Sequence, residues 1–179
     1  ELLCTEGYAN VGVIDTSPEV IAVAHDIGLK ATLVVDTVDF LDRHAAQFDC
    51  IVMLHVLEHV PKPDTLTLLR ALHGALRPGG TVLIEVPNMG DPLNGLYFRY
   101  ADFTHEVGFT EESLRYVVTQ TGFGDPVFLD QVGADGRLAR VLQRIARRAL
   151  HGLLFAINLP NGRQMRRRIG PVLSIRATA

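Results

Sequence analysis

The chain has 179 residues, 47% of them apolar and 21% charged, which suits one globular domain with a sizeable core and excludes disorder over most of its length. No run reaches the ~20 apolar residues that span a bilayer. Two cysteines, Cys4 and Cys50, make neither a disulfide framework nor a CxxC metal pair, and the cytoplasm is the expected compartment.

The first expected element is the β-branched run VGVID at 11–15, a buried strand ending in an acid. A helix follows, with Ser17 as cap, Pro18 in its first turn and Glu19 at the positive end of its dipole. Val20, Ile21, Val23, Ala24 and Ile27 mark its inward face, and Gly28 ends it. A second strand at 31–35 closes at Asp36, and a helical turn over 38–46 leads into a buried strand at 49–54. A helix over 64–76 buries Leu66, Leu69, Leu72 and Leu76 and stops before Arg77-Pro78-Gly79-Gly80. A second buried strand occupies 81–86.

Residues 88–105 read as irregular and carry Tyr97, Phe98, Tyr100 and Phe103, which either shape a pocket or pack the loop onto the sheet. A capped helix runs over 110–121 with Gly122 after it, then a strand over 126–132. Over 137–155 an amphipathic helix sets Leu138, Val141, Leu142 and Ile145 against Arg140, Arg144, Arg147 and Arg148. A basic loop at 160–168 and a closing strand at 172–177 complete the chain. Strands alternating with helices imply an α/β domain, mostly parallel, with helices on both faces and the last strand free to return antiparallel.

Charge is segregated along this order. All 20 acidic residues lie at or before Asp135 with 7 of the 17 basic ones, whereas the 10 arginines from Arg137 onward meet no acid. The tail either balances the acidic body as a solvated helix or meets an acidic partner, phosphate or membrane surface. Nucleic acid is not favoured, because no aromatic interleaving accompanies the arginines.

Three successive strands end in Asp15, Asp36 and His55. Polar residues gathered at the C-terminal ends of strands mark the place where open parallel sheets bind ligands. Asp15 is placed to accept from a ribose diol and Asp36 from an exocyclic amine, with Val35, Val38 and Phe40 as an apolar wall; both acids could instead only cap the helices that follow. The segment His55-Val56-Leu57-Glu58-His59 matches an HxxEH zinc-peptidase pattern. Pro61 and Pro63 deny the long helix that pattern requires, so no metal site is expected. His55 reads as a cleft-lining residue, with Glu58 and His59 bracing the turn through local hydrogen bonds.

The wording of these segments resembles one family. FDCIVMLHVLEHVPKP and LRPGGTVLIEVPN are similar to the fourth and fifth strands of class I S-adenosylmethionine-dependent methyltransferases, and VGVIDTSPEVIAVA to the segment around their ribose-binding acid. The resemblance implies a Rossmann-like sheet binding S-adenosylmethionine. Asp15 and Thr16 would lie at the ribose, Asp36 and Thr37 at the adenine, and Leu54 and His55 at the methionine end. ADFTHEVGFTEESLRYVVTQTGF looks like the substrate-side loop and helix of a subgroup acting on small molecules, sugars or lipids. His105, in a loop that would cover the cleft, is a candidate base for the acceptor proton; the alternative is a structural role, with Asp102 or Glu106 holding the loop.

The expected organisation is one methyltransferase domain over 1–179, with 89–109 as the substrate-side loop and 137–168 as a basic helical insertion before the last strand. In the family a first strand and a Gly-rich loop like DxGxGxG precede the ribose-binding acid. ELLCTEGYAN at 1–10 resembles the end of the helix after that loop, so the expectation is a truncated chain with the first strand missing. Expected partners are a small-molecule acceptor, a sugar or lipid-like compound among them, with peripheral membrane contact by the tail and a homo-oligomer left open. The rivals are a nucleotide-dependent oxidoreductase, which VLEHVPKP and LRPGGTVLIEVPN count against, and a degenerate, non-catalytic module docking a partner or membrane through its basic tail.

Overall fold

The computed structural model describes residues 5–129, 137–158 and 170–179. Strand β1 (Gly12–Asp15) leads into helix α1 (Pro18–Asp26), where the Ser17 hydroxyl accepts the Val20 amide. Strand β2 (Lys30–Leu33) follows, then α2 (Thr37–Arg43), β3 (Phe48–Leu54) and a 3-10 turn (Leu57–His59). Helix α3 (Thr65–Ala75) runs into β4 (Leu76–Pro87). Helices α4 (Gly95–Ala101) and α5 (Glu111–Thr119), strand β5 (Val127–Leu129), helix α6 (Arg137–Asn158) and strand β6 (Val172–Thr178) complete the order.

The strands fall into two sheets, β1-β2 and β3-β4-β6-β5. β1 pairs parallel with β2 and β3 with β4, whereas β6 runs antiparallel to both β4 and β5. The α/β class and the antiparallel last strand are as expected. Among the described residues no strand bridges β1 to β3, which is where the resemblance places the family's first strand.

The core lies against the four-stranded sheet. Val82, Ile84 and Val86 of β4 are buried while Thr81, Leu83 and Glu85 between them are half-exposed, the period-two alternation of a strand covered better on one face. Register sets those residues beside Ala177, Ile175 and Leu173 of β6, also buried. Leu69 and Leu72 of α3 with Leu114 and Val118 of α5 close this layer. β4 begins at Leu76, five residues before the expected start at 81, and its first part needs its glycines: Gly79 has φ +79°, and a Cβ on Gly80 would come within 2.8 Å of the Arg77 carbonyl oxygen. Helix α5 starts on a capping box in which Thr110 and Ser113 satisfy each other's amides.

Several expectations are corrected. Of the inward face proposed for α1 only Ile21 and Ala24 are buried; Val20, Val23 and Ile27 are exposed, because the two-stranded β1-β2 sheet is too narrow to cover them. In β3 only Met53 is buried, since the strand is the edge of its sheet. Leu68 joins Leu69 and Leu72 in the core, where Leu66 is half-buried. The stretch read as irregular contains α4, and its aromatics do not pack onto the sheet: Tyr97, Tyr100 and Phe103 are exposed, with Phe98 half-buried. Strand β5 ends at Leu129, and α6 runs three residues past the expected end at 155. The rest of the strand proposed to 132 and the basic loop at 160–168 lie outside the described residues.

Leu69 is fully buried and belongs to the central cluster. Leu69→Ala should therefore lower the unfolding free energy by about 2–5 kcal/mol, read by chemical denaturation of the full-length protein. A loss below ~1 kcal/mol would show that this layer does not hold the fold.

Candidate functional site

The strand ends are shaped by local hydrogen bonds from their polar residues. β1 stops where the Asp15 carboxylate bends back to accept the Ser17 amide at 2.8 Å, leaving the side chain half-buried. β2 is followed in the same way by Asp36, whose Oδ1 accepts the Val38 and Asp39 amides at 2.8 and 3.1 Å and caps α2. In both acids one oxygen is spent on the turn, and among the described residues Oδ2 has no hydrogen bond. The Val34 amide donates to the Asp15 carbonyl, so Asp15 and Asp36 with Thr16 and Thr37 share the C-terminal edge of the β1-β2 sheet.

Leu54 and His55 stand at the matching edge of the other sheet. His55 continues the β3–β4 ladder through its amide, which donates to the Glu85 carbonyl, and then turns with φ +53°. A left-handed conformation in a residue with a Cβ costs energy and is held in place by its surroundings. The ring of His55 lies between two carboxylates, with Nδ1 3.3 Å from Glu58 Oε1 and Nε2 3.4 Å from Glu85 Oε1. Leu54 is 55% exposed, so this edge presents both polar and apolar surface.

The HxxEH pattern is not a zinc-peptidase helix. His55 ends a strand and His59 closes a 3-10 turn, and Pro61 and Pro63 follow as the sequence required. The expectation that Glu58 and His59 only brace the turn locally is corrected. The Glu58 carbonyl accepts the Glu106 and Val107 amides, and His59 Nδ1 lies 2.9 Å from Thr104 Oγ1, 45 residues away. The turn after β3 is thus tied to the loop between α4 and α5.

That loop is organised by Asp102. Its Oδ1 accepts both the amide and the hydroxyl of Thr104, at 2.8 and 2.6 Å, and the Thr104 hydroxyl followed by the Thr104 amide holds the carboxyl below its usual range. Asp102 is therefore a loop-holding residue. His105, half-buried, directs Nδ1 at the Phe98 carbonyl, 2.8 Å away, while Arg99 donates to the His105 carbonyl. The His59 and His105 rings face each other with centroids 4.9 Å apart. One donor atom each from Glu58, His59 and His105 lies within 4.8 Å of the other two. The sequence reading did not join these residues, because 45 positions separate His59 from its loop partner.

It also missed Asn88 and Asp91, both buried. Asn88 Nδ2 donates to the Gly170 carbonyl at 3.0 Å, and Asp91 Oδ2 accepts the Gly170 amide at 2.8 Å. They fasten the start of β6 to the end of β4. The PN pair at the end of LRPGGTVLIEVPN was the available signal.

Comparison with known proteins agrees with this architecture. A family model described as a methyltransferase domain matches residues 1–125. The chain is similar to a ubiquinone biosynthesis O-methyltransferase of Xanthomonas campestris pv. campestris, 34% identical over 85 residues that cover 45% of this chain and 35% of that protein. The protein of the same name from Xylella fastidiosa is 37% identical over 93 residues, covering 49% and 37%. The matched regions thus span about a third of the length of these relatives.

Among solved structures, a SAM-dependent methyltransferase from Archaeoglobus fulgidus superposes with a TM-score of 0.72 at 20% identity, over 99% of this chain and 80% of that one. The 1,6-didemethyltoxoflavin-N1-methyltransferase of Burkholderia thailandensis, with bound 1,6-didemethyltoxoflavin and S-adenosylhomocysteine, gives 0.56 at 18%, over 99% and 64%. At such identities the likeness is one of fold. Strand ends, sheet order and family match converge: the chain belongs to the methyltransferase domain family, on the Rossmann-like α/β fold.

Proposed function

We propose that the chain is part of an S-adenosylmethionine-dependent methyltransferase acting on a small-molecule acceptor. The observation that carries this is the series Asp15, Asp36 and His55 at or within three residues of the C-terminal ends of β1, β2 and β3, in a chain whose residues 1–125 match the family. Asp15 with Thr16 holds the ribose, Asp36 with Thr37 the adenine, and Leu54 with His55 faces the methionine. The free Oδ2 of each acid suits it to accept from a cofactor hydroxyl or amine. An oxygen acceptor is favoured by the O-methyltransferase relatives, with nitrogen and carbon as the other choices.

Methyl transfer needs positioning more than covalent help from the protein. The bond from sulfur to the methyl breaks as the bond from methyl to acceptor forms, and the acceptor proton leaves to a base. His105 is the residue we assign to that proton. Its Nδ1 faces a carbonyl, so Nδ1 carries hydrogen in the neutral ring and Nε2 is the basic nitrogen.

Helix α6 supports a further partner, an anionic lipid surface. Val141, Leu142, Ile145, Leu153 and Phe155 are exposed on a helix that carries five arginines and no acid, the composition of an interfacial helix. No helix among the described residues is long and apolar enough to cross a membrane.

Three outcomes test this reading on the full-length protein. Calorimetric titration with S-adenosylhomocysteine should show affinity about 10–100-fold weaker in Asp15→Ala, from ~1.5–3 kcal/mol of lost charge-assisted hydrogen bonding. Asp36→Asn keeps the helix cap and should still bind more weakly; unchanged affinity in both variants would remove the cofactor assignment. His105→Gln should lower turnover about 100-fold or more while cofactor affinity stays within twofold of wild type (~2×), because a base acts on the acceptor alone. Co-sedimentation should retain the protein on phosphatidylglycerol vesicles and not on phosphatidylcholine vesicles, with retention lost in Ile145→Asp. Equal behaviour on both lipids would dismiss the membrane role of α6.

A further inference from the structure

The cluster of Glu58, His59 and His105 has more order than a proton acceptor needs. Its tautomers follow from the hydrogen bonds. The Thr104 hydroxyl gives its proton to Asp102 Oδ1, so toward His59 Nδ1 that oxygen can only accept, as can the Thr104 carbonyl at 3.3 Å. His59 therefore carries its hydrogen on Nδ1 and a lone pair on Nε2. His105 is held the same way by the Phe98 carbonyl. A ring N–H spent on a carbonyl or hydroxyl, with the other nitrogen left basic, is how proteins prepare metal-binding histidines.

The third member is a carboxylate with an unmet need. Glu58 is 1% exposed; Oε1 faces His55 at 3.3 Å, and Oε2 has no hydrogen-bond partner among the described residues. A buried carboxylate oxygen without a partner is costly and calls for a cation or a proton. Two neutral imidazoles and one carboxylate, with donor atoms within 4.8 Å of one another, answer that need together. Donor atoms around a tetrahedral zinc ion sit about 3.3 Å apart, so closing on a cation asks the three side chains to draw together by roughly 1–2 Å. Side-chain rotation in two half-buried histidines can supply it.

We propose that Glu58, His59 and His105 form a binding site for a divalent transition-metal ion of the zinc type. The donor set is nitrogen-rich with one hard oxygen, which suits Zn²⁺ better than Mg²⁺ or Ca²⁺. The ion joins the turn after β3 to the loop between α4 and α5 and leaves a coordination position for water or an acceptor oxygen. With the ion bound, His105 is a ligand and acts through it in place of serving as a free base. The metal titration is read without cofactor or acceptor, so it can fail while the cofactor assignment stands, and the reverse.

The test uses the full-length protein, stripped with a chelator, with neither cofactor nor acceptor present. Titration with zinc chloride should show one tight site per chain, and Co²⁺ should develop the visible absorption of a low-symmetry nitrogen–oxygen site. His59→Gln and His105→Gln should abolish both signals, whereas His44→Gln, a histidine outside the cluster, should leave them unchanged. Thr104→Val, at an exposed position, removes the hydroxyl that His59 shares with Asp102 and should weaken zinc affinity about 10–100-fold. It decides the matter if the histidine variants fail to fold. Absence of uptake by the wild-type protein, or uptake unaffected by Thr104→Val and by any folded histidine variant, would overturn the site.

Discussion

Pairing along β4 is the constraint on which the rest of the structure depends. This strand holds β3 in parallel on one side and β6 in antiparallel on the other. Its buried alternation of Val82, Ile84 and Val86 gives α3 and α5 a surface to pack on. Its end carries Asn88, which with Asp91 ties down Gly170 before β6. Its pairing with β3 also sets His55 beside Glu85, at the edge where polar side chains gather. A one-residue slip would turn every one of these side chains to the opposite face.

From that frame the site is assembled in two parts that use different physics. Asp15 and Asp36 each spend one carboxylate oxygen on the turn that starts a helix, so the same residue shapes the backbone and offers a second oxygen outward. Capping and ligand binding are compatible uses of one carboxylate, and the two readings of such an acid need not compete. The second part is long-range. Backbone amides of Glu106 and Val107 reach the Glu58 carbonyl, and Thr104 reaches His59, so the loop over 102–107 is laid on the turn after β3. There the histidines are oriented by groups that can only accept, which leaves their outer nitrogens basic.

Apolar surface is exposed both outside this frame and along its edge strand. Val35 is fully exposed, with Val20, Val23 and Ile27 on α1 and Val52 and Leu54 on β3 also open. Val20, Val23 and Ile27 lie on the helix beside the two-stranded sheet, and Val52 and Leu54 on the edge strand of the other. Helix α6 differs, because its apolar residues are interspersed with arginines in a stretch without acid, which is the pattern behind the lipid contact proposed for it.

Much of the fold was legible in the order of residues, because its signals are local. Ser17-Pro18 and Thr110 are helix starts whose chemistry acts over a few residues, and each stands where it was read. The strand-end positions of Asp15, Asp36 and His55 were equally visible, since a strand and its end are local features. Which face of α1 is covered, that β3 is an edge, and that α4 forms within the loop depended on what each element meets in space. The grouping of Glu58, His59 and His105 is the clearest case. Adjacent letters suggested a helical HxxEH motif, whereas hydrogen bonds across 45 residues chose His105 as the third member. Sequence by itself determined the elements and their polar ends, because propensity, capping and periodicity are short-range; only the tertiary structure decided the partners, because pairing and burial join residues that the chain keeps far apart.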